Sequence, residues 1–290
     1  MSKQKSLAGK SLFLASCLTA GRHAVSLAGR VCAGDTMPQN SPGAAVYVLG
    51  VRVDRVSQAQ ALATIEQMIS QRKLSGDTLP CRQIVTVNPE FVMTAQHNHD
   101  FRRAVNSAAL VVADGAGVVW ATRYLGQPTP ERLTGTDLLP MLAQRCVACG
   151  YRLYLLGATP GVAEAAAARL QELAPGLQIA GTYAGSPALS EEDAIIERIR
   201  EAQADVLCVA YGAPAQDLWI WRNLSRLPVA VAIGVGGAFD FISGRKPRAP
   251  ESMRRMGLEW LYRLYREPWR WRRMLALPRF AIQVVLRGRK

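Results

Sequence analysis

The chain has 290 residues, 49% apolar and 20% charged, which are globular values. No uninterrupted apolar run reaches the roughly 18–20 residues that a transmembrane helix needs, so any membrane contact is expected to be peripheral. The net charge of +13 is segregated: residues 245–290 hold 14 Lys+Arg against 3 Asp+Glu, residues 1–43 carry +4, and the body from 44 to 244 is near neutral at −2, so a basic appendage on an α/β body is expected to seek an anionic surface.

Taken in order, residues 1–36 open with Lys3, Lys5 and Lys10 and reach Leu14-Ala15-Ser16-Cys17. That tetrad resembles a lipoprotein cleavage box, but the apolar stretch before it is shorter than a signal core. The segment reads as a poorly ordered extension, or as an over-long start with Met37 as the initiator. Pro38–Gly43 is a linker. Ala45–Asp54 reads as one strand, and Ser57 caps a helix running to about Lys73. Ile84–Asn88 is a strand followed by a helix from Pro89, with His97 and His99 on its polar end. Ala108–Ala113 is an apolar strand closed by Asp114-Gly115. Helices are expected at about 116–125 and 136–148.

From there strands and helices alternate. Strands at Arg152–Leu156, Gln178–Tyr183, Val206–Tyr211 and Val229–Val235 are separated by helices at Gly161–Leu173, Glu191–Ala202 and Pro214–Ser225. This rhythm predicts βαβ units, a mostly parallel Rossmann-like sheet and helices on both faces. Ligands of such folds bind at the carboxyl ends of the strands. The organisation expected is an extension over 1–43, an α/β catalytic domain over 44–244, and a basic amphipathic, membrane-associating helical appendage over 245–290. The six cysteines form no dense framework and read as reduced cytosolic thiols. Cys146 and Cys149 form a CxxC without a second pair, and read as residues of a helix ending at Gly150.

The strand ends carry the chemistry. They release Thr86, Asn88 and Glu90 in VTVNPEF, Asp114 in ADGAG, Gly157 and Gly161 in GATPG, Tyr211, Gly212 and Gln216 in YGAPAQDLW, and Gly236 and Gly237 in GVGGAFDFISG. Small and polar residues at successive strand ends let a phosphate or sugar approach the backbone, and point to a nucleotide-type pocket. GxGxxG and GxxxxGK[ST] are both missing, so dinucleotide and P-loop chemistry are not supported. Asp114 is the leading candidate for a catalytic carboxylate, the alternative being a helix N-cap. Glu90, Asp217 and Asp240 are the other carboxylates near strand ends. The histidines His23, His97 and His99 do not suggest a metal site. The chain has no DxD, so a nucleotide-sugar pyrophosphate here would be neutralised by Arg and backbone N–H groups.

VTVNPEF, ADGAGVVW, ERLTGTD, GATPGV, YGAPAQDLW, GVGGAFDFISGRKPRAP and GLEWLYRLYREPWRWRR, in this order, resemble the WecG/TagA/CpsF family of bacterial glycosyltransferases over about residues 46–275. The extension and the last dozen residues fall outside that span. The resemblance implies inverting transfer of N-acetylmannosamine, its uronic acid or glucose from a UDP-sugar to a saccharide on undecaprenyl diphosphate. This would occur at the cytoplasmic face of the membrane, in cell-surface polysaccharide or exopolysaccharide synthesis. It implies that Asp114 is the general base, with Thr86 and Asn88 beside it. Arg132 and Asp137 match the R-x-x-G-x-D segment, and Gln216 the YGxPxQ motif, where Asp217 stands in place of a common Glu. Arg263, Arg270 and Arg273 match basic residues of an appendage that engages the membrane and closes over the site. One carboxylate suffices for inversion, with the proton of the attacking hydroxyl as its target. No cofactor or metal is expected. The UDP-sugar, the lipid-linked acceptor and an anionic membrane surface are the expected partners; nucleic acid is not, and a homo-oligomer stays open. The tail itself also admits a helix packed on the body with a solvated basic face, or a stacking surface for nucleic acid. A non-enzymatic basic module binding membrane or nucleic acid is therefore the rival reading. A nucleotide-dependent oxidoreductase is disfavoured by the missing dinucleotide fingerprint.

Overall fold

A computed structural model describes residues 45–76 and 78–287; the expectations for the N-terminal extension lie outside them. Residues 45–54 are a hairpin rather than one strand, β1 (Val46–Val48) paired antiparallel with β2 (Val51–Val53). The apolar phase shifts there from even to odd positions. Leu49 at φ 50° and Gly50 at φ 79° form the turn between, and two positive φ values are what a tight two-residue hairpin loop needs. Past β2, Asp54 accepts the Val111 N–H at 2.9 Å and donates its own N–H to the Val111 carbonyl at 2.8 Å. This pairs the outer edge of strand β4 (Leu110–Ala113), an edge that would otherwise offer open backbone groups.

Six parallel strands make the main sheet in the order β4-β3-β8-β7-β5-β6. The others are β3 (Arg82–Val87), β5 (Arg152–Gly157), β6 (Gln178–Tyr183), β7 (Val206–Ala210) and β8 (Val231–Gly234). Because side chains alternate across a strand, each central strand supplies both faces. Ile84, Leu155, Cys208 and Ile233 join the cluster under helices α1 (Gln58–Leu74), α5 (Gly135–Cys149), α6 (Val162–Leu173) and α9 (Ala238–Ile242). Leu156, Leu207, Val209 and Ala232 face α7 (Glu192–Glu201) and α8 (Ala215–Asn223). Val85, Val87, Val111 and Ala113 pack beneath the hairpin with α2 (Pro89–Ala95), α3 (His99–Ser107) and α4 (Ala116–Tyr124). The parallel sheet with helices on both faces is the architecture its alternating pattern predicts.

The helix expected from Pro89 is two helices. Asn98 interrupts it, its Oδ1 accepting the Phe101 N–H at 2.9 Å to cap α3; His97 lies in the break and His99 starts α3. Cys146 and Cys149 are helical, in an α5 that closes at Gly150 in the left-handed region. The basic C-terminal stretch folds as short helices: α10 (Glu251–Arg255), α11 (Glu259–Arg266), α12 (Trp271–Met274) and the longer α13 (Ala276–Arg287). Helix α13 packs on α2 and α4, with Phe280 and Val284 buried in the same apolar cluster as β3 and β4. No helix among the described residues is long and apolar enough to cross a membrane.

Candidate active site

A cavity of about 620 Å³ opens beyond the carboxyl ends of β4, β3, β8 and β7, and the C-terminal helices complete its wall. The carboxyl ends of the strands are the expected ligand position of an open parallel sheet. Thr86, Asn88, Asp114, Arg132, Tyr211, Gln216, Gly236, Gly237, Arg263, Arg270 and Arg273 all line it. Residues spread over nearly 190 positions of sequence are thus brought to one chamber.

Asp114 ends β4 at the floor. Its N–H donates to the Val87 carbonyl at 2.7 Å, and the neighbouring Leu133 N–H donates to the Ala113 carbonyl at 2.8 Å. These two bonds fix the strand end and bring the Arg132 loop beside it. Asp114 does not cap α4: Gly115, at φ 91°, occupies the N-cap without any side-chain hydrogen bond. No hydrogen bond or ion pair engages the Asp114 carboxyl among the described residues, which leaves it open to the chamber. Burial pushes it up to about 7. Arg263 opposes that shift and Glu259 adds to it, with a smaller lowering influence from Arg132 and a smaller raising one from Asp137. A carboxyl set near neutrality can be ionised at working pH and still be basic enough to accept a proton.

The other expected residues divide by what they touch. Asn88 caps α2, its Oδ1 accepting from the Phe91 N–H at 3.1 Å, which leaves its amide NH₂ for the chamber. The Thr86 hydroxyl donates to the Gly234 carbonyl at 3.5 Å. Gln216 is almost completely buried, and its Oε1 accepts from the Gly236 N–H at 3.0 Å, so it orders the glycine loop after β8. Gly236 sits at φ 54°, which disfavours a side chain there. Tyr211 lines the chamber, stands edge-on to Trp219, and buries its hydroxyl without a partner among the described residues.

Two expected residues do not line the chamber. Asp137 sits in the first turn of α5, where the Thr134 hydroxyl donates to it at 2.7 Å and Arg248 pairs with it at 2.7 Å. It reaches Asp114 only through its field. Gly157 has a packing role: at φ 103°, a Cβ there would lie 2.8 Å from the Ala210 carbonyl carbon, so glycine allows β5 to end against β7. Its neighbour Ala158 lines the chamber instead.

Arg263 stacks over the Phe241 ring at 4.5 Å, and burial holds its pKa below the ordinary value. Arg270 pairs with Glu267 at 2.8 Å, Lys246 with the same carboxylate at 2.9 Å, and Arg273 with Glu90 at 2.6 Å. Lys246, Glu259 and Glu267 were within the quoted motifs, but nothing in their spacing separated them from a solvated basic face. Trp120 and Leu277 also line the chamber; a tryptophan or leucine in a helix carries no sequence signal of its own. Beneath the glycine loop Asp217 is fully buried, and among the described residues neither carboxyl oxygen completes a well-directed hydrogen bond. Burial pushes it up to about 7, with the Gln216 amide the main opposing influence.

A sequence model described as "Glycosyl transferase WecG/TagA/CpsF family" matches residues 46–290. The match therefore reaches the chain end rather than stopping near 275, in keeping with the burial of Phe280 and Val284. The chain is similar to an N-acetylglucosaminyldiphosphoundecaprenol N-acetyl-beta-D-mannosaminyltransferase of Bacillus subtilis (strain 168), 35% identical over 202 residues, which cover 70% of this chain and 78% of that protein. The protein of the same description from Staphylococcus aureus (strain MW2) is 31% identical over 255 residues, covering 88% and 98%.

Proposed function

The chain belongs to the WecG/TagA/CpsF family and is a glycosyltransferase of polysaccharide synthesis; from that premise we propose that it moves a hexose from a UDP-sugar to a saccharide on undecaprenyl diphosphate, with inversion. The relatives' names favour N-acetylmannosamine as the sugar and N-acetylglucosaminyl diphosphoundecaprenol as the acceptor; its uronic acid and glucose are the other candidates for the sugar. One observation carries the reading: an unpartnered carboxyl of raised pKa stands at the floor of a chamber whose wall includes Arg132 and Arg263.

In the proposed reaction an acceptor hydroxyl oxygen attacks the anomeric carbon as the bond from that carbon to UDP breaks. The hydroxyl proton passes to the Asp114 carboxylate. Charge grows on the departing UDP, and guanidinium groups with the Gly237 backbone N–H meet it without a metal. Asn88 and Thr86 flank the base and orient the sugar. The tail residues Arg263, Arg270 and Arg273 bring positive charge over the chamber, and the exposed Tyr265, Trp269 and Trp271 favour a position at the inner membrane face.

The test is UDP release from a panel of UDP-sugars by purified protein, given a short-chain lipid-diphosphate-linked N-acetylglucosamine, with and without EDTA. Acceptor-dependent release that persists in EDTA and is lost in Asp114→Asn supports the reading. Equal release by Asp114→Asn removes the base assignment, and no release with any pair removes the reaction. A basic module without enzymatic function predicts no UDP binding by calorimetry at all.

A further inference from the structure

On the side of the sheet that meets α7 and α8, the strands present Leu156, Leu207, Val209 and Ala232. That apolar layer gives way beneath the loop that follows β8. Gln83 of β3 and Gln216 and Asp217 of α8 meet there, none of them more than 1% exposed. Gly234 makes the room: a Cβ on it would lie 2.6 Å from Gln216 Nε2 and 2.7 Å from Asp217 Oδ1. The amide nitrogen and the carboxyl therefore share the space over one backbone position.

The bonds in this cluster are directional. Gln216 Oε1 accepts the Gly236 N–H at 3.0 Å, so its Nε2 is the end that lies beside Asp217. A flipped amide would set two donors against each other at Gly236. Gln83 Nε2 donates to the Asp217 backbone carbonyl at 3.0 Å, and Gln83 Oε1 stays buried without a donor among the described residues. An ion buried without a counter-charge is strongly disfavoured, so the Asp217 carboxyl meets its neighbours as a neutral acid. A neutral carboxyl gives one O–H and accepts at its other oxygen. Around it stand one acceptor that needs a donor, Gln83 Oε1, and one donor that faces it, Gln216 Nε2. A buried polar group kept in an apolar layer calls for a use.

We propose that Asp217 is a positioning residue: by accepting from Gln216 Nε2 and donating to Gln83 Oε1, it fixes which way the Gln216 carboxamide faces, and so holds the Gly236–Gly237 turn in the shape that receives the donor's diphosphate. Asp217 touches no substrate and does not line the chamber; it acts through Gln216. The last clause rests on the reading that the chamber binds a UDP-sugar. The holding of the turn does not, which lets the two be tested apart.

Two measurements on the full chain, both at pH 6, below the value of about 7 to which burial lifts Asp217, provide the test. One is amide hydrogen exchange resolved at Gly236 against β8, without ligand. The other is UDP binding by calorimetry. Asp217→Leu has nearly the same shape but neither donor nor acceptor. It is expected to quicken exchange at Gly236 about tenfold, to leave Val231–Ile233 unchanged, and to weaken UDP binding about tenfold, the scale of one hydrogen bond. Asp217→Asn keeps an N–H donor and a carbonyl acceptor, and is expected to restore both readings to within about twofold of the wild type. Gln83→Leu removes the acceptor and should shift both in the same direction by about threefold; it decides if Asp217→Leu does not fold. Unchanged exchange at Gly236 in a folded leucine variant overturns the proposal. So does exchange that quickens equally through β8, which would mark a general packing role, or an Asp217→Asn as impaired as Asp217→Leu. Quickened exchange with unchanged UDP affinity overturns the link to the diphosphate. Quickened exchange in a protein whose wild type binds no UDP leaves Asp217 holding the turn while the donor reading fails.

Discussion

Burial lifts two carboxyls, and each links this protein to pH in a different way. Asp114 acts as a base only when ionised, and burial lifts it to about 7. The logarithm of kcat/KM is therefore expected to rise with unit slope below about pH 7 and to level off above it, since that parameter reports the free enzyme. Asp114→Asn should lower turnover by roughly 10²–10⁴ and remove the acid limb. Asp217 does not line the chamber but is also lifted to about 7. A raised carboxyl holds its proton longer in the folded state than in the unfolded one. Between its ordinary value near 4 and about 7 the unfolded state releases the proton first, so stability falls as pH rises through that window. Asp217→Asn should therefore stabilise the fold at pH 8 by roughly 2–4 kcal/mol, at about 1.4 kcal/mol per pH unit, and change little at pH 4. Denaturant melts at the two pH values check it; equal effects at both would refute the burial argument. Asp114 was legible in the sequence because an apolar run ended on it before two glycines. The fate of Asp217 was not, because its motif position says nothing of the Gly234 backbone lying above it.

Among the elements, the sheet was readable because its strands are short apolar runs spaced by helices, a rhythm that few other folds share. The hairpin was missed because ten residues of strand-like composition hide a turn made by Leu49 and Gly50 rather than by Asn-Gly. The break before α3 was missed because Asn98 is a cap only when the backbone already turns there. Glycines show the same limit. Gly157 and Gly161 belong to one GATPG motif and both have positive φ, yet a Cβ at Gly161 meets open space while one at Gly157 meets the Ala210 backbone. Gly161→Ala should cost about 1–2 kcal/mol from backbone conformation alone. Gly157→Ala should cost about 2–5 kcal/mol, because overpacking is added and backbone cannot move aside as a side chain can. Urea titrations that rank the two variants in the opposite order would contradict the packing role assigned to Gly157.

At the scale of the whole molecule the C-terminal charge serves two ends. Lys246, Arg248, Arg270 and Arg273 turn inward and pair with Glu267, Asp137, Glu259 and Glu90 around the chamber. Arg266, Arg272, Arg279 and Arg287 have no ion pair among the described residues and stand exposed near Tyr265, Trp269, Trp271, Ile282, Val285 and Leu286 in sequence. The sequence revealed the composition of this tail but not the division, because an arginine that closes a site and one that meets a membrane look alike in a string of letters. The division predicts that folding and membrane binding can be separated. Phe280→Ala removes a side chain with 1% exposure and should cost about 3–5 kcal/mol of stability, as large core truncations do. The double variant Ile282→Gln with Val285→Gln alters exposed residues and should change stability by less than about 0.5 kcal/mol. That double variant should nonetheless weaken sedimentation with anionic vesicles by roughly tenfold, since interfacial binding scales with buried apolar area. Binding of the wild type should fall further as salt rises, because each exposed cation near an anionic leaflet contributes about 1 kcal/mol and is screened within a Debye length. If the double variant sediments as the wild type does, the exposed face of α13 does not meet the membrane. The aromatic and basic residues of α11 and α12 would then have to carry that contact alone.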